Sequence, residues 1–153
     1  MKLAEALLKR AELKKAVEEL KSRAHENASV QEGEAPFEDP DEMLSKAIQI
    51  NDELTSLVKQ INKTNQATIT DDGQSLSEMI ADRDSLLRKR SAVKSVIEGA
   101  SDRDRGWRFT RNEIKSVAVV DVKKLRKLSD DISAEYRNLD TRIQGINWQT
   151  ELI

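Results

Sequence analysis

Cysteine is absent from this 153-residue sequence. That excludes disulfides, thiol nucleophiles and thiolate metal sites while leaving the redox compartment open. Histidine occurs once, as His25. A carboxylate-bridged metal site in a helical protein draws Glu-x-x-His pairs from two helices, which one imidazole cannot supply. A Ser-His-Asp relay would depend on the same His25, and no Gly-x-Ser-x-Gly elbow surrounds any serine. Walker and Gly-x-Gly-x-x-Gly loops are missing as well. The acid pairs Asp71-Asp72 and Asp130-Asp131 are adjacent, so on a helix they point different ways and read as solvated surface. The sequence therefore predicts no catalytic residue, no metal ligand and no cofactor: it reads as a non-enzyme.

Aromatic residues make up 3% of the chain, too few to fill the thick core of a sandwich or a doubly wound sheet. Long apolar runs are also missing. The longest, Val117 to Val120, falls far short of the ~18 residues of a membrane span. The opening Met1-Lys2-Leu3-Ala4-Glu5 lacks the apolar centre of a signal peptide, so a cytoplasmic location is expected. Neither sign of charge dominates, with 26 bases against 28 acids, but the charges are unevenly placed. Glu32 to Glu53 is acidic apart from Lys46, whereas Arg83 to Lys115 is mainly basic.

What the chain has in quantity is helical periodicity. In Asp121 to Ile153, Leu125, Leu128, Ile132, Tyr136, Leu139, Ile143 and Ile146 recur at steps of three and four, which places them on one helix face. Asp121 is positioned to cap that helix, and Gly145 to loosen its end. A first helix carries Leu3, Ala6, Leu13, Val17, Leu20 and Ala24, with Arg10 interrupting its seam. Glu5 with Lys9 and Glu19 with Arg23 are spaced for helix-internal ion pairs. Asp39-Pro40 opens a second helix, aspartate at the cap and proline at the first helical position. Its stripe of Met43, Ala47, Ile50, Leu54, Leu57 and Ile61 then turns polar at Thr64, Asn65 and Thr68. Two readings of that change stay open: a frayed helix end, or a polar layer that fixes register. Ser75 with Glu78 forms a capping box for a third helix, whose run includes the pair Asp84 and Arg88.

Together these signals predict a mainly all-α single domain over 1–153, with helices at about 2–26, 40–64, 76–100 and 121–146. The helices are expected to form elongated antiparallel hairpins in a bundle or coiled-coil-like arrangement, because such long seams exceed a compact sphere of this chain length. A short β-ribbon from 28–32, 68–70 and 107–120 completes the expectation.

Candidate functional residues fall into three groups. Trp107, Phe109, Arg111, Trp148, Leu152 and Ile153 are candidates for an interface, since Trp and Arg dominate interface hot spots and an apolar chain end should be docked. Asn62, Asn65, Tyr136, Arg137 and Asp140 are candidates for a buried polar network, in which each group must be hydrogen-bonded. Arg105, Arg108 and Arg111, interleaved with Trp107 and Phe109, are candidates for nucleic-acid contact, because arginines neutralise phosphates while aromatic faces stack on bases. Asp102 and Asp104 weaken that third reading.

Several blocks of the sequence, among them Val30-Gln31-Glu32-Gly33-Glu34, Glu38-Asp39-Pro40, Ile61-Asn62-Lys63-Thr64-Asn65, Glu135-Tyr136-Arg137 and Asn147-Trp148, resemble small bacterial proteins known as septicolysin-like. The resemblance covers nearly the whole chain and implies a cytolysin, without supplying an active site for these positions. Three functions follow as expectations. The first is a structural or interaction protein that self-associates through its helical seams, the 101–120 segment and its apolar tail, with room for a further protein partner. The second is a nucleic-acid-binding helical arm using the basic 83–115 region, and the third a pore-forming cytolysin.

Overall fold

The computed structural model describes residues 1–105 and 117–153, with side chains for 1–100 and 117–153. Four helices stand among them: α1 (Leu3–Glu26), α2 (Pro40–Ala67), α3 (Leu76–Arg105) and α4 (Val122–Gln149). The fold is all-α, as periodicity predicts.

Local chemistry explains where the helices begin. The Asp39 carboxylate accepts from the amides of Asp41 at 2.9 Å and Glu42 at 3.3 Å, and Pro40 occupies the first turn, where its missing N–H leaves no bond unmade. Asp121 does the same for α4, its carboxylate accepting from the Lys124 amide at 3.0 Å. Before α1, the Lys2 amide donates to the Glu5 carboxylate at 2.7 Å.

Where the helices end differs from expectation. α2 continues to Ala67 because its threonines bond back along the helix: the Thr64 hydroxyl donates to the Gln60 carbonyl at 2.9 Å, and the Thr68 hydroxyl to the Thr64 carbonyl at 2.8 Å. α4 runs through Gly145 to Gln149, with the Thr150 amide closing the last turn on the Ile146 carbonyl at 2.9 Å. α3 extends to Arg105.

The β-ribbon is not formed by the described segments. Residues 28–32 have no strand, and at 68–70 pairing is limited to an isolated bridge between Ile69 and Ser75. The reason lies in the turn. The Thr70 carbonyl accepts from Gly73, which adopts φ +80°, and the Leu76 amide returns to the Thr68 carbonyl, so the chain reverses directly into α3. Residues 107–116 of the predicted ribbon lie outside the described residues.

The chain divides into two compact units, Met1–Leu76 with Gln144–Ile153, and Ser77–Ile143. In the first, α1 and α2 form an antiparallel hairpin, fixed by Lys9 with Glu53 at 2.6 Å and Arg23 with Glu38. These pairs replace the helix-internal ones expected from spacing. Lys9 reaches across to α2 and not to Glu5, and Arg23 takes Glu38 while Glu19 turns to Lys15. At the hairpin's closed end Asn27 accepts from the Glu38 amide at 3.1 Å and donates to the Arg23 carbonyl at 3.0 Å. The core of this unit holds Leu3, Ala6, Leu57, Ile61 and Leu76.

In the second unit α3 and α4 run antiparallel. Arg83 meets Asp140 at 3.3 Å while also engaging Asp84 at 2.9 Å, in place of the expected Asp84 to Arg88 pair. Two turns along α3, the Arg90 guanidinium lies 5.9 Å from the centre of the Tyr136 ring. Met79, Leu86, Ile132 and Ile143 are buried here, whereas Leu87, Val93, Ile97, Leu125 and Leu139 along the same seams are only partly covered.

Candidate interaction surface

In the first unit, residues 1–3 are joined to residues 149–152. The Leu3 amide donates to the Thr150 carbonyl and the Leu152 amide to the Met1 carbonyl, both at 2.9 Å, a two-rung antiparallel bridge centred on Lys2 and Glu151. The Lys2 ammonium adds a bond to the Gln149 carbonyl at 3.1 Å and an ion pair with Glu151 at 2.7 Å. The Met1 amino group reaches the other oxygen of that carboxylate at 3.2 Å. The last amide, of Ile153, donates to the Thr64 hydroxyl at 3.0 Å. Thr64 is 1% exposed, and its hydroxyl is satisfied in both directions, accepting from Ile153 and donating to Gln60. This clasp ties the tail to α1 and to the end of α2.

Its charged part carries a pH dependence. The hydrogen bond from Lys2, with that from the Met1 amino group, holds the Glu151 carboxyl below its ordinary value of 4.5. A depressed folded-state value means that the pairing stabilises the fold at neutral pH and above the unfolded-state value. The contribution disappears as pH falls through the lowered value. We expect Glu151→Gln to melt below the wild type at pH 7, with the two melting curves converging in acid, as measured by circular dichroism. A melting difference that persists at low pH would assign the effect to something other than this charge.

The clasp also displays apolar groups. Met1, Ile69, Trp148 and Ile153 are each more than half exposed, although Met1 and Ile153 are held by the clasp's backbone bonds, Ile69 by its bridge to Ser75 and Trp148 by the last turn of α4. Leu152 is half-buried. The structure thus docks the backbone of the predicted tail on its own chain and leaves the Trp148 and Ile153 side chains towards solvent. Trp107, Phe109, Arg108 and Arg111 lie outside the described residues, and Arg105 is the last residue of α3.

The predicted polar network is not enclosed as a set. Asn62 and Arg137 are exposed, while Asn65, Tyr136 and Asp140 are half-buried. The buried polar residues among those described are Thr64 and Asn147. Thr64 sits three residues beyond Ile61 on the face that the apolar stripe occupies, and that periodicity was the available signal for it. Nothing local marked this pairing of Lys2 with Glu151, because the side chains' partners in the clasp are 147 to 150 positions away.

A cleft of about 290 Å³ opens at the closed end of the α1–α2 hairpin, lined by Leu20, Arg23, Glu38, Asp39, Glu42, Met43 and Lys46. Its charges are matched to one another: Arg23 with Glu38, Lys46 with Glu42, and Asp39 on its own helix terminus. Among the described residues no three His, Cys, Asp or Glu side chains converge to hold a metal ion. No described helix is long and apolar enough to cross a membrane.

Residues 10–152 match the family described as Family of unknown function (DUF6847). The chain belongs to that family. A crystal structure of a functionally unknown conserved protein from Corynebacterium diphtheriae is similar over 100% of this chain and 99% of its own, with 40% identity and a TM-score of 0.90. No curated protein matches the sequence. These findings overturn the septicolysin-like resemblance: neither the DUF6847 match nor the solved relative carries a link to a cytolysin. The short blocks behind that resemblance include helix starts and seam segments, such as Glu38-Asp39-Pro40, whose local chemistry serves helix formation. The 40% identity and TM-score of 0.90 show that this chain shares the fold of the solved relative.

Proposed function

We propose that the chain is a non-enzymatic interaction protein that self-associates, with the clasp end of its first unit as a contact surface. The supporting observation is the group of Met1, Ile69, Trp148 and Ile153, large apolar side chains held at the surface on hydrogen-bonded backbone. Apolar groups of this size gain about 25 cal/mol per Å² when covered, and a fixed backbone lowers the ordering cost of covering them. A second copy presents the same group, so one two-fold operation covers both. The helical seams contribute further half-exposed apolar surface. The 101–120 segment enters this reading only through residues 117–120, whose side chains are exposed.

Sedimentation equilibrium tests the reading. We expect the wild type to associate and Trp148→Glu to weaken association at least tenfold, about 1.4 kcal/mol, with helix content unchanged. A wild type that stays monomeric at its highest soluble concentration would refute it.

A further inference from the structure

At the end of α2 away from the clasp, large apolar side chains stand open beside the buried seam. Leu44 and Ile48 are one turn apart and 52% and 57% exposed, while Met43, Ala47 and Leu57 on the same helix are buried. Steps of three and four place the exposed Asp41 and Asp52 in line with them, so the stripe is an apolar pair with an acid at each end. Phe37, four residues before Asp41 and just ahead of the helix, is 96% exposed.

The charge around this stripe is of one sign. Residues 14–53 hold eleven acids and five bases. Four of those bases are matched within the first unit: Lys15 to Glu19, Lys21 to Glu18, Arg23 to Glu38 and Lys46 to Glu42. Glu53 is held by Lys9. That leaves Glu26, Glu32, Glu34, Asp39, Asp41 and Asp52 outside any ion pair among the described residues, with Lys14 the one base in the same position. The pairing of Lys9 with Glu53 sets Lys14 about level with Ile48 across the antiparallel hairpin. One cation against six acids keeps the field over the stripe negative.

We infer that this face docks a basic amphipathic helix of another protein, with its apolar side chains on Leu44 and Ile48 and its lysines or arginines towards Asp41 and Asp52. The stripe rises roughly 17 Å from acid to acid, which about three turns of a partner helix match. Such a helix laid on an apolar surface is anchored at steps of three and four, and opposite charge at both ends fixes its register. Charge also excludes the other occupants. Nucleic acid and anionic membranes are repelled by the acids. A second copy would bring the same acids if the two stripes met, and the exposed groups of α3 and α4 mix both signs, with Asp121, Asp131 and Glu135 among the lysines. The stripe and the clasp lie at opposite ends of α2, so this docking stands independently of self-association.

The probe is a fluorescently labelled peptide of leucine and lysine patterned as an amphipathic helix, with a scrambled peptide of the same composition as control. In fluorescence anisotropy at low ionic strength, the patterned peptide should bind wild type at least about tenfold more tightly than the scrambled one. Leu44→Gln with Ile48→Gln, and separately Asp41→Lys with Asp52→Lys, should each weaken that binding at least about tenfold. The same charge change in the second unit, Asp130→Lys with Glu135→Lys, should alter it by less than about threefold. Circular dichroism checks the fold; if a double variant loses helix, Ile48→Gln and Asp52→Lys alone replace the pairs with the same expected order. Equal binding of patterned and scrambled peptides, or equal loss on charge reversal in either unit, assigns the attraction to net charge and overturns the proposal. Unchanged peptide binding but weakened self-association in the Leu44→Gln, Ile48→Gln variant gives the face to a second copy and overturns it as well.

Discussion

Ile61→Ala is expected to lower the unfolding free energy by roughly 2–5 kcal/mol, the range for truncating a fully buried isoleucine. Ile61 is 1% exposed and stands on the α2 seam between Leu57 and Thr64, also buried. The change removes three carbons, about 2.4 kcal/mol at 0.8 kcal/mol per buried group, and any cavity that fails to collapse adds to that. Leu8→Ala is the control. Leu8 is 59% exposed on α1, and leucine and alanine differ little in helix propensity, so its change should stay within about 0.5 kcal/mol. Urea unfolding followed by circular dichroism, at one protein concentration for all variants, gives both values. Equal effects at the two sites would mean that the α2 seam is not the core.

Thr64→Val should release the tail. Valine keeps the shape but removes the oxygen that accepts from the Ile153 amide and donates to the Gln60 carbonyl. Losing a partner for a part-buried amide costs about 1–3 kcal/mol, and here the released free energy concerns the last residues of the chain. The sharper readout is therefore local. Amide exchange at Leu152 and Ile153 should accelerate by roughly tenfold or more in Thr64→Val, with the mid-helix amides of α2 much less affected. Thr64→Ser keeps the hydroxyl and should preserve protection at Ile153. Equal exchange in wild type and valine variant would show that Thr64 does not hold the tail.

The sequence announces features whose partners are close along the chain. Asp39 and Asp121 cap helices through amides two or three residues ahead, and their short side chains have few other options. Seam positions such as Ile61, Leu86, Ile132 and Ile143 follow from period alone and are buried. Ion pairs were less legible. Glu5 to Lys9 and Asp84 to Arg88 satisfy helical spacing, but Lys9 gains more by bridging to Glu53, and Asp84 meets an Arg83 already drawn towards Asp140. Exposed pairs differ by a fraction of a kcal/mol, so small differences in reach decide among them.

The candidate surface was half visible. An apolar Trp148, Leu152 and Ile153 at the end of a charged chain signalled docking, and the tail is docked. Its receptor was not legible, because it consists of the Met1 and Leu3 backbone, the Met1 and Lys2 amines and one hydroxyl on α2, none of which has a sequence signature. Thr64 illustrates the difficulty: a polar residue on an apolar face reads equally as helix fraying or as an internal bond, and only its partner distinguishes them.

The clasp has a kinetic consequence. The α1–α2 hairpin closes only the span between Glu26 and Pro40, whereas the bridge between Lys2 and Glu151 closes a loop nearly as long as the chain, and loop-closure entropy grows with length. Helical pairs should zip early during folding, with the clasp assembling late on elements already in place. Detachment of the clasp would then be an early step when the molecule comes apart, so bonds that strengthen it slow unfolding more than they hasten folding.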